Sequence, residues 1–185
     1  MDRGQSLKLL KQYIKNDKMI AHCIASEAVL MAMANRLGAN PDKWGLAGLL
    51  HDIDVEITNA DMLTHGMEAV QILRENNIDE EVIEAIMLHN EDASHHTPRS
   101  TTFHYALAAG ETITGLIFAS ALVIPSKKIA DVKAKSVAKR MKEKAFAASV
   151  KRENIMECEK AGVPLDEFIE LSLDALSKVS GEIGF

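Results

Sequence analysis

Along most of the chain, apolar residues recur at three- and four-residue spacing and nowhere alternate convincingly, so the pattern predicts helices without strands. Asp17 can cap a helix running towards Gly38, over "KMIAHCIASEAVLMAMANRLG". Asn40 and Pro41 open a short helix that ends near Ile53; Thr64 can cap "HGMEAVQILRENN", and Asp79 can cap "EEVIEAIMLHN". The polar loop "EDASHHTPRSTT" leads into a long apolar helix. Basic helical pieces follow Pro125, and "DEFIELSLDALSKV" lies near the C-terminus. Pro41, Pro98, Pro125 and Pro164 all fall at these boundaries. The predicted fold class is all-α. A chain of 185 residues is long enough for one domain, 1–185, with a sizeable core.

Two stretches depart from simple amphipathic patterning. Tyr105 to Ile124 is long enough to span a bilayer, but it carries Glu111 near its middle, with Thr112, Thr114, Ser120 and two glycines. A carboxylate at membrane depth is costly, so a central buried helix is the better reading and no membrane partner is expected. "LAGLLHDIDVE", Leu46 to Glu56, is apolar nearly all round until His51, Asp52, Asp54 and Glu56 close it. An ionised carboxylate in a core needs a charge partner, hydrogen bonds or a metal.

Composition narrows the classes further. The chain is 47% hydrophobic and 26% charged with a net charge of −6, ordinary for a soluble protein and no reason to expect nucleic-acid binding. Ten of the 21 Lys and Arg residues, against three acids, lie between Pro125 and Glu153. That segment reads either as a solvated helical face or as a strip that partly faces a phosphate-receiving site. It lacks the aromatic residues of a stacking surface, Phe146 excepted. Cys23 and Cys158 form no disulfide framework, and the N-terminus has no apolar run typical of a cleaved leader, so a cytoplasmic location is expected. Cys23 adjoins His22, but consecutive helix residues point about 100° apart, which disfavours a Cys-His nucleophile pair.

The histidines matter as a set. His22 follows Met19 by three, His65 precedes Ala69 and Ile72 by four and seven, and His89 lies on the stripe of Val82 and Ile86. Glu111 shares a face with Leu107 and Phe118. These spacings aim polar groups at a core. With His51 and Asp52 they make six nitrogen or oxygen donors without a thiolate, a set suited to Fe, Mn, Co, Ni, Zn or Mg. Six ligands exceed what one catalytic metal takes, and two ions bridged by Asp52 are the economical arrangement.

The order His22, His51-Asp52, His65-Gly66, His89 and a late acid resembles the HD-domain superfamily of metal-dependent phosphohydrolases. "GLLHDID", "THGMEAVQIL" and "MLHNE" look most like its small HDIG-type members, with the motif core over about 18–125 and a helical extension over 126–185. The resemblance implies an all-α bundle with metals at its centre, His22, His51 and Asp52 on the first, His65 and His89 on the second. Three departures stand out. Glu111 takes the place of the usual last aspartate, Asp54-Val55 replaces a frequent glycine-lysine, and only His95, His96 and His104 are candidates for the additional histidines of some dinuclear members.

Such a site suits hydrolysis of a small phosphorylated metabolite by metal-activated water. The nucleotide as substrate is what the resemblance implies. Asp52 would ligate and orient the nucleophile, while Asp54 and Glu56 are candidates for an orienting group or proton acceptor, or else begin a solvated loop. Arg99, Lys127, Lys128 and Lys133 are candidate phosphate contacts. A di-iron oxygenase with the same ligands and a non-catalytic binding module are the competing readings. The apolar face of the last long helix packs either on its own domain or on a second copy.

Overall fold

The computed structural model describes residues 1–185. Its helices are α1 (Arg3–Tyr13), α2 (Asp17–Leu37), α3 (Pro41–Leu50), α4 (Glu68–Glu75), α5 (Glu80–Leu88), α6 (Thr102–Leu122), α7 (Ala134–Met141), α8 (Arg152–Lys160), α9 (Leu165–Lys178) and α10 (Ser180–Ile183). A single 3-10 turn, Ile129–Asp131, joins α6 to α7, and no strand is present.

Local chemistry sets most of the ends. Asn16, one residue before the expected Asp17, caps α2 through its side chain, and Gly38 closes it at φ 70°, the left-handed conformation glycine adopts without penalty. Asn40 caps α3 with Pro41 in its first turn, and Asp79 caps α5. Thr64 does not cap α4. Its hydroxyl bonds back to Asp61 within a series of turns over 51–67, and the helix begins at Glu68 without a side-chain cap. The sequence pattern did not single out α1. A capping box starts it, in which Asp2 accepts from the Gln5 N–H while the Gln5 side chain accepts from the Asp2 N–H.

The two 21-residue helices, α2 and α6, cross at the centre. α2 lies chiefly against α3, and α6 is enclosed by α2 and α8 with α3, α5, α7 and α9 around it. By length and composition α6 could pass for a membrane span, yet 67% of its most apolar window is buried inside the fold. Trp44 of α3 stacks on Phe103 of α6 with ring centroids 5.0 Å apart. The apolar face of α9 (Phe168, Ile169, Leu173, Leu176) is covered by α2, α6 and α7 of the same chain.

The α2–α3 crossing is close because Gly48 has no side chain. A Cβ there would lie 2.7 Å from the Ser26 carbonyl oxygen and 2.9 Å from the Glu27 nitrogen, both backbone. Backbone cannot swing aside as a flexible side chain can. Gly48→Ala is therefore expected to cost about 2 kcal/mol, lowering the melting temperature by about 4–8 °C. Gly181→Ala, where nothing lies within 4 Å, is the control. Equal melts for the two variants would show that the helices part freely.

Candidate metal centre

Four histidines from separate places in the sequence turn one ring nitrogen outward to a fixed partner. His51 Nδ1 lies 2.9 Å from the Gly48 carbonyl, and His89 Nδ1 lies 2.6 Å from that of Ile86. Each occupies the position just after its helix, where the carbonyl three residues back is in reach. His22 Nδ1 lies 2.8 Å from the Thr114 hydroxyl, which donates its own hydrogen to the Glu111 carbonyl at 2.6 Å. His65 Nδ1 lies 2.8 Å from Asp54 Oδ1. Every one of these partners accepts, so each Nδ1 carries a proton, a tautomer assigned from its neighbours.

The four Nε2 atoms converge in two pairs. His22 and His51 Nε2 are 3.1 Å apart, as are His65 and His89 Nε2. Asp52 sits between the pairs. Its Oδ2 is 3.5 Å from His22 Nε2 and 3.4 Å from His51 Nε2, while Oδ1 is 3.0 Å from His65 Nε2 and 3.6 Å from His89 Nε2. Glu111 Oε2 joins the first pair, 3.9 Å from His22 Nε2. Facing lone pairs at these distances, around one shared carboxylate, fit cations between them. The donor set accordingly divides into His22, His51 and Glu111 on one side and His65 and His89 on the other, with Asp52 common to both.

Burial and charge tune these donors. Burial drives His51 down to about 3 and lowers His22, so both lone pairs stay free of protons at neutral pH. Burial alone would raise Asp52, but the surrounding histidines outweigh it and hold the carboxyl well below its ordinary range. Burial also pushes Glu111 up to about 7, with a hydrogen bond from the Thr112 hydroxyl opposing the rise. The Cys23 sulfur lies close to His51 and Asp52, but burial raises its thiol far above the usual value, so it stays protonated.

His65 behaves differently. Burial would lower it, but bonds to the Asp52 and Asp54 carboxylates raise it to about 10. In chelator-treated protein the folded state thus gains stability from protonated His65 below about pH 6.5, and that gain fades as pH rises through 10. A metal at Nε2 must displace that proton. Metal loading at pH 7 is expected to release about one proton per chain from His65, and affinity at that position to rise about tenfold per pH unit towards 10. Calorimetry in buffers of differing ionisation enthalpy measures the proton count. A count of zero in the wild type, or an equal count in His65→Ala, would overturn it.

Several sequence candidates lie elsewhere or do something else. Asp54 is fully buried, and besides His65 it accepts from the Gly66 N–H at 2.7 Å and the Ala69 N–H at 3.0 Å. It positions His65 and is shut off from any reacting atom. Glu56 accepts from the N–H groups of Lys15 and Asn16, 2.9 and 2.8 Å away, and so fastens the entrance to α2 instead of taking protons in the site. Arg99 is only 8% exposed at its side chain. Its guanidinium donates to Glu91, Glu157 and the Leu88 and His89 carbonyls, so it braces α5 and is not a phosphate contact. Lys127, Lys128 and Lys133 follow the C-terminal end of α6, eleven residues past Glu111, or about 16 Å along a helix, and are exposed there. His104 is buried at the start of α6 beside Ser100 and Glu84. His95 bonds the Asn90 carbonyl, and His96 is exposed on the outer side of that loop. None of the three lines the centre.

A cleft of about 320 Å3 opens over the donors. Val55, Ala60 and Met62 form one wall, Glu111, Thr112 and Gly115 of α6 another, and Ser149, Val150, Lys151 and Asn154 a third. Lys151 is the only Lys or Arg in that lining. The basic character of Pro125–Glu153 was visible in sequence, but which of its ten cations reaches the site was not, because the turns between α7 and α8 have no period to read. The family model for the HD domain matches residues 19–121, which takes in all six donors. The ordered motif, the helical bundle and the convergent His/Asp centre agree with that match over more than half of the chain, and the chain belongs to the HD-domain family.

Proposed function

We propose that the chain is a divalent-metal-dependent phosphohydrolase acting on a phosphate ester of a small metabolite. One observation carries this reading, namely that the two oxygens of Asp52 each face a separate pair of inward-turned histidine nitrogens. His22, His51, Glu111 and Asp52 would hold one ion, and His65, His89 and Asp52 the other. When bound, such ions supply hydroxide at neutral pH and offset charge on phosphoryl oxygens. A donor set of imidazoles and carboxylates suits Fe, Mn, Co, Ni or Zn, with Mg less favoured by so many nitrogens.

The chain's own groups do the rest. Asp54, Gly48, Ile86 and Thr114 fix the four ring orientations, so the donors are arranged before any ligand arrives. Asp52 spans the pairs and sets their separation. The cleft leaves one side of the centre open to a small ester while α2, α3 and α5 close the others. A nucleotide is the ester that the family resemblance suggests. A cytoplasmic location fits the two unpaired, buried cysteines.

The test is phosphate release from a panel of phosphomonoesters, nucleoside monophosphates included, by anaerobically purified protein loaded with Mn, Fe or Co. Release that depends on the metal and stops with chelator is expected. No release from any ester by protein holding two ions per chain would overturn the reading, and oxygen uptake by the iron-loaded form would favour an oxygenase.

A further inference from the structure

The third wall of the cleft lies beyond residue 121, outside the stretch that the family model matches. It is a built structure. The Arg152 guanidinium donates to the carbonyls of Ala147 and Val150 at 2.7 Å each and to that of Phe146, drawing the turns over 143–150 into a strap. Arg140 lies over the Phe146 ring at 3.8 Å and pins its other side. Gly115 of α6 lets the strap come close, since a Cβ there would lie 3.2 Å from Val150 Cγ2.

The strap presents polar groups to the cleft. Lys151 Nζ donates to Glu91 Oε1 at 2.6 Å and to Asp92, so one of its three N–H bonds is left over. Glu91 is saturated by hydrogen bonds from Lys151, Arg99 and Asn154. The Arg99 charge is matched by Glu157 behind it at 2.7 Å. Lys160 Nζ bonds the same Glu157 at 3.2 Å, so Glu91, Asp92 and Glu157 are matched by Lys151, Arg99 and Lys160 and no cation of this network is left unpaired. Ser149, two residues before Lys151, belongs to the same cleft lining.

These features set terms for a ligand whose phosphate lies at the metal donors. A second anionic group would meet no unpaired cation in this network. A base would find no ring to stack on, because no Phe, Tyr, Trp or Arg lines the cleft. A hydroxyl, by contrast, can accept the remaining Lys151 N–H and donate to Ser149 Oγ. We propose that the strap selects a phosphate ester whose remote end carries uncharged hydroxyls, a sugar or polyol phosphate, and that Lys151 and Ser149 are its specificity-determining contacts. The proposal rests on the phosphohydrolase reading for the placing of the phosphate, and it narrows the ester away from a nucleotide.

Phosphonates test it without turnover, because their carbon–phosphorus bond resists hydrolysis. Mn-loaded protein is titrated calorimetrically with 2,3-dihydroxypropylphosphonate, with propylphosphonate and with AMP. The dihydroxy compound is expected to bind at least about tenfold more tightly than propylphosphonate, as the two hydroxyls each gain a hydrogen bond. It should also bind more tightly than AMP. Ser149→Ala and Lys151→Met are each expected to cut the hydroxyl preference to about threefold or less. If Lys151→Met fails to fold, Lys151→Arg keeps the charge for Glu91 and Asp92 while moving the donor, and the same loss is expected. Equal binding of the two phosphonates, a preference that survives all the variants, or tighter binding of AMP would each overturn the proposal. Failure of the hydrolytic reading would show separately, as metal-loaded protein that keeps the hydroxyl preference yet releases no phosphate from any ester.

Discussion

Asp52→Ala is expected to remove metal from both candidate positions at once. Wild-type protein purified anaerobically is expected to hold about two transition-metal ions per chain and the variant close to none, because the shared carboxylate is the anionic ligand common to both sets. Geometry makes the case. Each Asp52 oxygen serves its own histidine pair, at 3.4–3.5 Å on one side and 3.0–3.6 Å on the other. Without Asp52, the second pair has two imidazoles and no carboxylate facing their Nε2 atoms, and the first has only Glu111, which burial pushes up to about 7. A half-protonated carboxyl is a poor substitute at neutral pH. His22→Ala and His65→Ala should each lose about one ion, since each touches a single set. Asp52→Asn controls for folding. It keeps the side-chain volume, and its amide offers one oxygen where two are needed. Elemental analysis beside a circular-dichroism melt measures both quantities. A folded Asp52→Ala protein that still holds one firmly bound ion would show that the positions do not share this residue.

The donors themselves were legible in the sequence because they sit on or next to helices, where a spacing of three or four fixes direction. His89 on the stripe of Val82 and Ile86, or Glu111 with Leu107, could point only inward. What surrounds the donors was not legible. The partners of Asp54 come from a run of turns and the first turn of α4, 11–15 residues on, and Arg99 finds Glu157 58 residues away. Contacts of that kind have no period. The apolar-to-acid switch at "HDIDVE" showed that Asp54 needed an explanation, but a proton acceptor and an orienting group look alike until burial is known. The basic run after Pro125 misled in a related way. Charge density located the segment, while Arg152 bonding to strap carbonyls decides which cation enters the cleft. α1 went unread for a plainer reason: its mean hydropathy is low, and only the Asp2–Gln5 capping pair marks it.

Asp54 offers the second large effect, and it separates positioning from stability. Its carboxylate takes one imidazole N–H and two backbone N–H groups with no solvent access. Asp54→Ala strands the Gly66 and Ala69 donors in the core, and Gly66 cannot readily move, since its φ of 87° already needs glycine. A loss of about 3 kcal/mol or more is expected, seen as a melting temperature lower by about 6–12 °C. Asp54→Asn should fold better and still bind metal poorly at one position. Its amide oxygen can accept both backbone N–H groups in the place of Oδ2, but its NH2 then faces His65 Nδ1. A donor there forces His65 into the opposite tautomer, with the proton on Nε2, where the ligand lone pair has to be. Affinity at the His65–His89 position should fall about 10–100-fold, while the His22–His51 position stays within about twofold. Two-step metal titration reads the split, and 15N shifts of the His65 ring read the tautomer. Equal losses at both positions would make Asp54 a structural support only. A one-sided loss with an inverted tautomer ties the buried carboxylate to the metal centre through a single proton, the one it holds on His65 Nδ1.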